Sequence, residues 1–320
     1  MLRRIGCRFA LVAACVLVAL NAEAAKHASL DNIPDQAKAA NTGAAAQPPY
    51  VGAILVDAAT GQTLSEDHAD SQGSPASVLK LMDLLVILEK VESGALKLTD
   101  PVTVTAEASR IGGSQVFLKE KEVFTVDELL YALMIQSAND AATALAIHVA
   151  GSKDAFVALM NARAQALGMK STVFHSVHGL PPGKGQEPDV TTARDLATLS
   201  CELLKHKDAL RYTSVRERPF RPDAKEPFIM RNHDHLLDAV EGCDGLKTGY
   251  YRKAGYSIAA TAQRNGLRVV AVVLGSPARL VRDAKARELM SQGLMTLAEK
   301  HPQPANVPAP GTTPTQAGPR

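Results

Sequence analysis

Apolar and polar positions follow two rhythms along the chain. Val51–Asp57 is an almost unbroken apolar run, and Thr63–Glu66 follows it across Ala58-Ala59-Thr60-Gly61. Two short runs joined by a Gly-containing turn predict a β-hairpin. Val78–Glu92 is Leu-rich and too long for an ordinary strand, so it predicts a helix stopped by Gly94. Thr125-Val-Asp-Glu128 has the capping-box spacing and opens a helix to about Ile135. Asp140–Ala150, Asp154–Ala166 and Thr192–Leu204 predict further helices, with Gly151 and Gly168 as C-terminal stops after two of them. Strands then return at Gly242–Gly249, Ala254–Gln263 and Leu267–Leu274. Asn265-Gly266 between the last two suits a tight hairpin turn. A helix over Asp283–Glu299 closes the pattern.

Strands at both ends with helices between them imply an α+β fold. Short hairpins favour antiparallel pairing, so the N-terminal hairpin and the C-terminal meander form one antiparallel sheet of about five strands. Some helices flank that sheet and the middle ones form an all-helical lobe. The cleft between sheet and lobe is where a site is expected.

The two ends read differently. Arg3, Arg4 and Arg8 precede an apolar run, Phe9–Leu20, and Ala22-Glu23-Ala24 follows. That is the layout of an export signal over residues 1–24. The run is short for a bilayer span. Cys15 lies inside it rather than after it, which disfavours a lipoprotein site. Residues 25–49, rich in Ala, Gln and Pro, read as a linker. Residues 301–320 hold six prolines and read as an extended tail without the apolar face of a membrane anchor. Residues 50–300 remain as one domain. With 46% apolar and 21% charged residues the chain is globular, and a net charge of +2 gives no basic face for nucleic acid. Removal of the leader also takes Cys7 and Cys15 and leaves Cys201 and Cys243, whose pairing is open.

Three motifs carry candidate chemistry: Ser77-Val-Leu-Lys80, Ser137-Ala-Asn139 and Lys247-Thr-Gly249. Residues three apart on a helix share a face, so Ser77 and Lys80 point the same way at a helix start. A serine hydroxyl is a weak nucleophile without a base, and an ordinary lysine is protonated at neutral pH. Apolar neighbours (Leu79, Leu81, Met82, Leu84, Leu85) and a second cation, Lys247, would both disfavour its charged form. Each motif alone is common by chance. Together, in this order, at a helix start, a helix–helix loop and a strand, they match the motif set of serine acylases.

Around these motifs, Ser74–Met82, Gln136–Asp140, Val177–Leu180, Thr192–Ala197, Gly245–Gly249 and Lys253–Tyr256 resemble the serine-type D-alanyl-D-alanine carboxypeptidases, the low-molecular-mass penicillin-binding proteins. The resemblance spans roughly Tyr50 to His301 and implies a β-lactamase/penicillin-binding-protein-like α+β domain. It also implies that Ser77 is the nucleophile and Lys80 the general base. By the same resemblance Ser137 would shuttle a proton, and Asn139 would hold the substrate amide. Lys247 and Thr248 would bind the terminal carboxylate beside Gly249, and the backbone N–H groups of Ser77 and Tyr250 would form the oxyanion hole. Arg282 stands where relatives carry an arginine near that carboxylate, although by itself it reads equally as a solvated helix-end residue. The implied substrates are peptidoglycan stem peptides, the implied inhibitors are β-lactams, and no cofactor or metal is called for. Two departures stand out: Leu79 replaces a usual Thr, and Ala138 replaces a common Gly.

Other candidates are weaker. His233-Asp-His235 lacks a third ligand at a zinc spacing and reads as two loop histidines. Arg216, Arg218 and Arg221 read as a solvated loop, and Asp195 as a residue favouring a helix start. A D,D-endopeptidase shares the same chemistry. A β-lactamase would need a deacylating glutamate, for which Glu187 lacks the expected following residues. An inactive cell-wall binding module would not need all three motifs.

Overall fold

The computed structural model describes residues 49–301. The export signal, the linker up to residue 48 and the tail from residue 302 lie outside the described residues. In chain order the elements are β1 (Gly52–Asp57), β2 (Thr63–Asp67), α1 (Lys80–Glu92), β3 (Pro101–Thr103), α2 (Ala106–Ser109), β4 (Val123–Thr125), α3 (Val126–Ile135), α4 (Asn139–Ala150), α5 (Lys153–Ala166), α6 (Ala193–Leu203), α7 (Ala209–Thr213), β5 (Glu217–Phe220), β6 (Phe228–Arg231), α8 (Leu236–Ala239), β7 (Cys243–Tyr251), β8 (Gly255–Arg264), β9 (Leu267–Ser276) and α9 (Arg279–Lys300).

The main sheet has five strands in the order β2-β1-β9-β8-β7, all antiparallel. Pairing of Ala53 with Val273 and of Leu55 with Ala271 ties the N-terminal hairpin to the C-terminal meander, as the sequence pattern requires. Both sheet faces are covered, which explains why β1 and β9 read as continuous apolar runs rather than alternating ones. On one face Leu55, Ala271 and Val273 pack with Leu289, Met290 and Leu294 of α9. On the other, Ile54, Val270 and Val272 join the larger core with Leu81, Leu84 and Leu196 of the helical side. The fold is α+β, with α1, α6 and α7 against the second face and α2–α5 packed beyond them as the helical lobe.

Local signals act as expected where they are strong. Thr125 and Glu128 form a reciprocal capping box at α3. Asn265 and Gly266 both take positive φ, 50° and 79°, in the β8–β9 turn. The differences lie at boundaries and in short pieces. α9 begins at Arg279, a turn earlier than expected, which places Arg282 inside the helix and buries it rather than leaving it solvated. The two-stranded pairs β3–β4 and β5–β6 are too short for a periodic signal.

Arg218 on β5 and Arg221 just after it correct the reading of a solvated loop, whereas Arg216, just before β5, is exposed as that reading expects. The Arg218 guanidinium lies 3.7 Å from the Tyr131 ring centroid. Arg221 packs 4.8 and 5.1 Å from the rings of Phe220 and Phe124 and donates to the Val116 carbonyl. Arg216 pairs with Asp238 at 2.6 Å. Among the described residues Cys201 and Cys243 are unpaired, and burial pushes their thiols up to about 11 and about 12.

Candidate active site

Ser77 stands on a 3-10 turn, Ala76–Leu79, that runs directly into α1. Ala76 enters this turn at φ 47°, a region that costs an L-residue energy and that the surrounding packing must hold. Lys80 is the first residue of α1 and is fully buried, whereas Ser77 is half-buried. Their side chains meet at 2.9 Å, Lys80 Nζ to Ser77 Oγ.

Four further oxygens crowd the amine. Asn139 Oδ1 lies at 2.7 Å, the His178 carbonyl at 3.0 Å, the Ser137 carbonyl at 3.1 Å and Ser137 Oγ at 3.4 Å. An ammonium has only three hydrogens to donate. Burial drives the Lys80 amine down to about 7, while Asp83 and Asp140 pull it back toward the charged form. At neutral pH a large share of Lys80 is therefore a free base, able to accept a proton from the Ser77 hydroxyl.

The second motif reaches Lys80 through a sharp backbone reversal. Ser137 adopts φ 58° between α3 and α4, and Asn139 opens α4. Asn139 donates its side-chain N–H to the Gly112 carbonyl at 2.8 Å and its backbone N–H to the Ser114 carbonyl at 2.7 Å. Those donors fix which end of the amide faces Lys80. Asp140 gathers the backbone N–H groups of Val116 and Leu118, so the N-terminal end of α4 also anchors the loop beside the cleft.

The third motif comes from β7, at the edge of the sheet. Lys247 is buried and donates to the Thr248 carbonyl at 3.0 Å. Burial first, and then the charge on Lys80, hold its amine well below the ordinary lysine range. Thr248 is nearly buried, and Tyr250 is half exposed with its ring stacked on Tyr256 at 4.0 Å. Arg282 is buried, donating to Asp283 at 2.5 Å and to the Ser257 carbonyl at 3.4 Å.

Two glycines let three segments converge. A Cβ on Gly249 would stand 2.5 Å from the Pro75 carbonyl oxygen and 3.0 Å from the Val78 nitrogen. On Gly179 it would stand 2.1 Å from the Ala76 carbonyl oxygen. Both contacts are with backbone that cannot swing aside. The Gly179 loop is set from behind by buried Asp189, which accepts from the His175 and Ser176 N–H groups and the Ser176 hydroxyl. Gly249→Ala should push β7 off the Ser77 turn. Overpacking of this kind costs about 1–3 kcal/mol, so a lower melting temperature is expected together with at least a roughly tenfold slower reaction of Ser77, since small misplacements of reacting groups are costly. Thermal melts and acylation kinetics on one preparation check both, and an unchanged rate would show that this approach does not set the site.

Ser77, Ser137, Thr248, Gly249, Tyr250 and Arg282 line one open cleft of about 450 Å³ between sheet and helical lobe. The sequence reading missed its other wall: Ser114, Arg231, Asn232, His233, His235, Tyr256 and Arg279. His233 and His235 read from the sequence as two loop histidines, and no spacing rule places them beside Ser77. Burial and the two lysines push His233 down to about 4, so it is neutral. Positive charge from Arg231, Arg279 and Arg282 in its lining suits a small anion such as a carboxylate. A second cavity of about 440 Å³, beside Arg194 and Cys201, contains none of the motif residues. Glu89, Glu202 and His206 approach one another elsewhere, but their partners are Arg163 for both carboxylates and Glu92 for the imidazole. Asp195 lies in the first turn of α6 behind the cap Thr192 and accepts from Thr172 Oγ1 at 2.7 Å and from the Ser171 N–H at 3.0 Å, and Glu187 is exposed.

A sequence profile for D-alanyl-D-alanine carboxypeptidases, peptidase S11, matches residues 39–278. The Bacillus subtilis D-alanyl-D-alanine carboxypeptidase DacF is 34% identical over 238 residues, covering 74% of this chain and 60% of that protein. The Mycobacterium tuberculosis D-alanyl-D-alanine carboxypeptidase DacB2 is 32% identical, covering 69% of this chain and 73% of its own. Several of the curated relatives are longer, and the chain spans about 60% of their length. Among solved structures, Escherichia coli penicillin-binding protein 6B aligns with a TM-score of 0.71 at 32% identity, covering 80% of this chain and 81% of the other. Listeria monocytogenes penicillin-binding protein D2, solved in its ampicillin-bound form, aligns with a TM-score of 0.68 at 30% identity over 77% of this chain and 97% of its own.

Proposed function

Since the chain belongs to the D-alanyl-D-alanine carboxypeptidase family, we propose that it is an exported serine D,D-carboxypeptidase, working in the periplasm or secreted, that removes the terminal D-alanine from peptidoglycan stem peptides and is acylated by β-lactams. The observation that carries this reading is the 2.9 Å contact between Ser77 Oγ and a buried Lys80 amine held down to about 7.

The chemistry follows from that pair. Neutral Lys80 takes the hydroxyl proton as Ser77 Oγ attacks the carbonyl carbon of the penultimate D-alanine. Charge develops on the carbonyl oxygen, which the N–H groups of Ser77 and Tyr250 would receive. The C–N bond then breaks, and the leaving amine takes a proton from Lys80 by way of Ser137, 3.4 Å from Lys80 Nζ. Lys247, Thr248 and Arg282 would hold the departing carboxylate. Water hydrolyses the remaining ester. A β-lactam forms the same ester, but its leaving nitrogen stays tethered, so the adduct lasts longer.

A pentapeptide ending in D-Ala-D-Ala should release free D-alanine, and a fluorescent penicillin should label the protein with one equivalent. The pH dependence has a definite sign. Lys80 must be neutral to act, so acylation should fall about tenfold per pH unit well below the Lys80 titration and level off above it, with the turn near about 7. Release of D-alanine only from cross-linked dimers would make the enzyme a D,D-endopeptidase. Rapid turnover of penicillin would make it a β-lactamase, a reading that the exposed Glu187 does not favour. A rate independent of pH from 5 to 9 would remove Lys80 as the base.

A further inference from the structure

The cleft has two ends, and they carry different side chains. β7 runs from Cys243 to Tyr251. In the reading above, the carboxylate of the leaving residue lies at Lys247 and Thr248, and the reacting carbonyl lies at the Tyr250 N–H. The part of the peptide before the scissile bond therefore passes Tyr250 toward the far end of the strand. At that end Tyr250 pairs with Tyr256 across the β7–β8 ladder, and Tyr256 pairs with Ser276 of β9. The chain then turns, and Arg279 opens α9 just after Ser276. Arg282, one turn further along α9, donates to the carbonyl of Ser257, the ladder partner of Gly249, and so stands level with the reacting groups. Arg231, His233 and His235 come instead from the segment that leads through α8 into the start of β7, at the leaving-group end.

The Tyr250 end combines an apolar shelf with an under-committed cation. Tyr250 is half exposed and stacks on Tyr256 with ring centroids 4.0 Å apart, and both rings line the cleft beside Arg279. Such a pair offers apolar area to an alkyl chain. The Arg279 side chain is 44% exposed and reaches one oxygen of Asp283 through a single contact of 3.2 Å. Nε and Nη2 of Arg282 take the other oxygen. One carboxylate thus serves two guanidinium groups, and a positive charge is left over. The remaining donors of Arg279 have no partner among the described residues. No Asp or Glu lines the cleft among the described residues. An ammonium entering at this end meets like charge, whereas a carboxylate meets a planar fork of N–H donors.

We propose that Arg279 and the Tyr250–Tyr256 pair form the subsite for the residue preceding the two D-alanines, and that this subsite selects stem peptides in which that third residue ends in a free carboxylate, such as a diamino diacid, over those in which it ends in an amine alone. The alkyl part of the side chain lies on the tyrosines and its carboxylate meets Arg279. This rests on the reading of the protein as a D,D-carboxypeptidase that binds its peptide along β7.

The test is D-alanine release from N-acetyl-X-D-Ala-D-Ala with X as glutamate, glutamine or lysine, which steps the charge of the third residue through all three signs. For the wild type kcat/KM should fall in that order. Glutamate should exceed lysine by about fivefold, the upper worth of one exposed ion pair, with the difference carried mainly by KM. About 0.5 M NaCl should shrink the ratio. Arg279→Gln should bring the glutamate-to-lysine ratio close to one, and Arg279→Lys should keep most of it. Arg231→Gln, at the other end of the cleft, should change the rates of both peptides in proportion and keep their ratio. Penicillin labelling at saturation counts the reactive fraction of each preparation, so a packing defect lowers all three rates together and leaves the ratio in place. A wild-type ratio near one overturns the proposal, as does a ratio that survives in Arg279→Gln or that Arg231→Gln removes equally. If Arg279→Gln does not fold, Arg279→Met carries the comparison. In each of these cases D-alanine is still released, whereas a wild type that releases none from any of the three peptides would sink the carboxypeptidase reading itself.

Discussion

Ser77→Ala should abolish covalent labelling by penicillin and reduce D-alanine release by roughly a million-fold, the loss typical when the nucleophile of a cooperative serine site is removed. The substitution deletes one oxygen. Four others remain within 3.4 Å of Lys80 Nζ, so the amine keeps its place. The strained residue of the turn is Ala76, not Ser77, so the backbone need not move. The variant should therefore melt close to the wild type while losing its chemistry. Mass spectrometry of the penicillin-treated protein reads the result directly. An adduct that survives in Ser77→Ala would point to the other hydroxyl beside Lys80, that of Ser137, and the assignment of the nucleophile would fall.

The motifs could be read from the sequence because each rests on a local rule. Ser77 and Lys80 meet because a spacing of three is a helical contact, and the sheet was legible because β1, β8 and β9 are buried on both faces. What escaped is made by distant segments whose own patterns are weak. The carbonyl of His178 touches Lys80 across 98 positions of sequence, and a carbonyl has no signature in composition. His233 and Arg279 reach the cleft through a short connection and a helix that starts earlier than its apolar pattern does. Arg218 and Arg221 were misread because charge alone suggests solvent, whereas guanidinium stacking on Tyr131 and Phe220 depends on which rings the fold brings near.

Lys80→Arg separates charge from basicity at the same position. Arginine keeps a positive charge and more donors than lysine, so much of the attraction to Asn139 Oδ1 and to the Ser137 and His178 carbonyls could be retained. It does not release its proton in proteins, so no free base can form beside Ser77. Acylation should drop by about 10²- to 10⁴-fold, the usual contribution of a general base, and raising the pH to 10 should not restore it. The wild type, with its amine held down to about 7, should by contrast have reached its plateau well before that pH. Circular dichroism on the same samples controls for folding, because a planar guanidinium must fit where a fully buried ammonium sat. Recovery of the variant at high pH would mean that hydroxide or another group takes the Ser77 proton. Lys80 would then be an electrostatic anchor for the acyl carbonyl, and the pH dependence expected of the wild type would have to arise from another residue of the cleft.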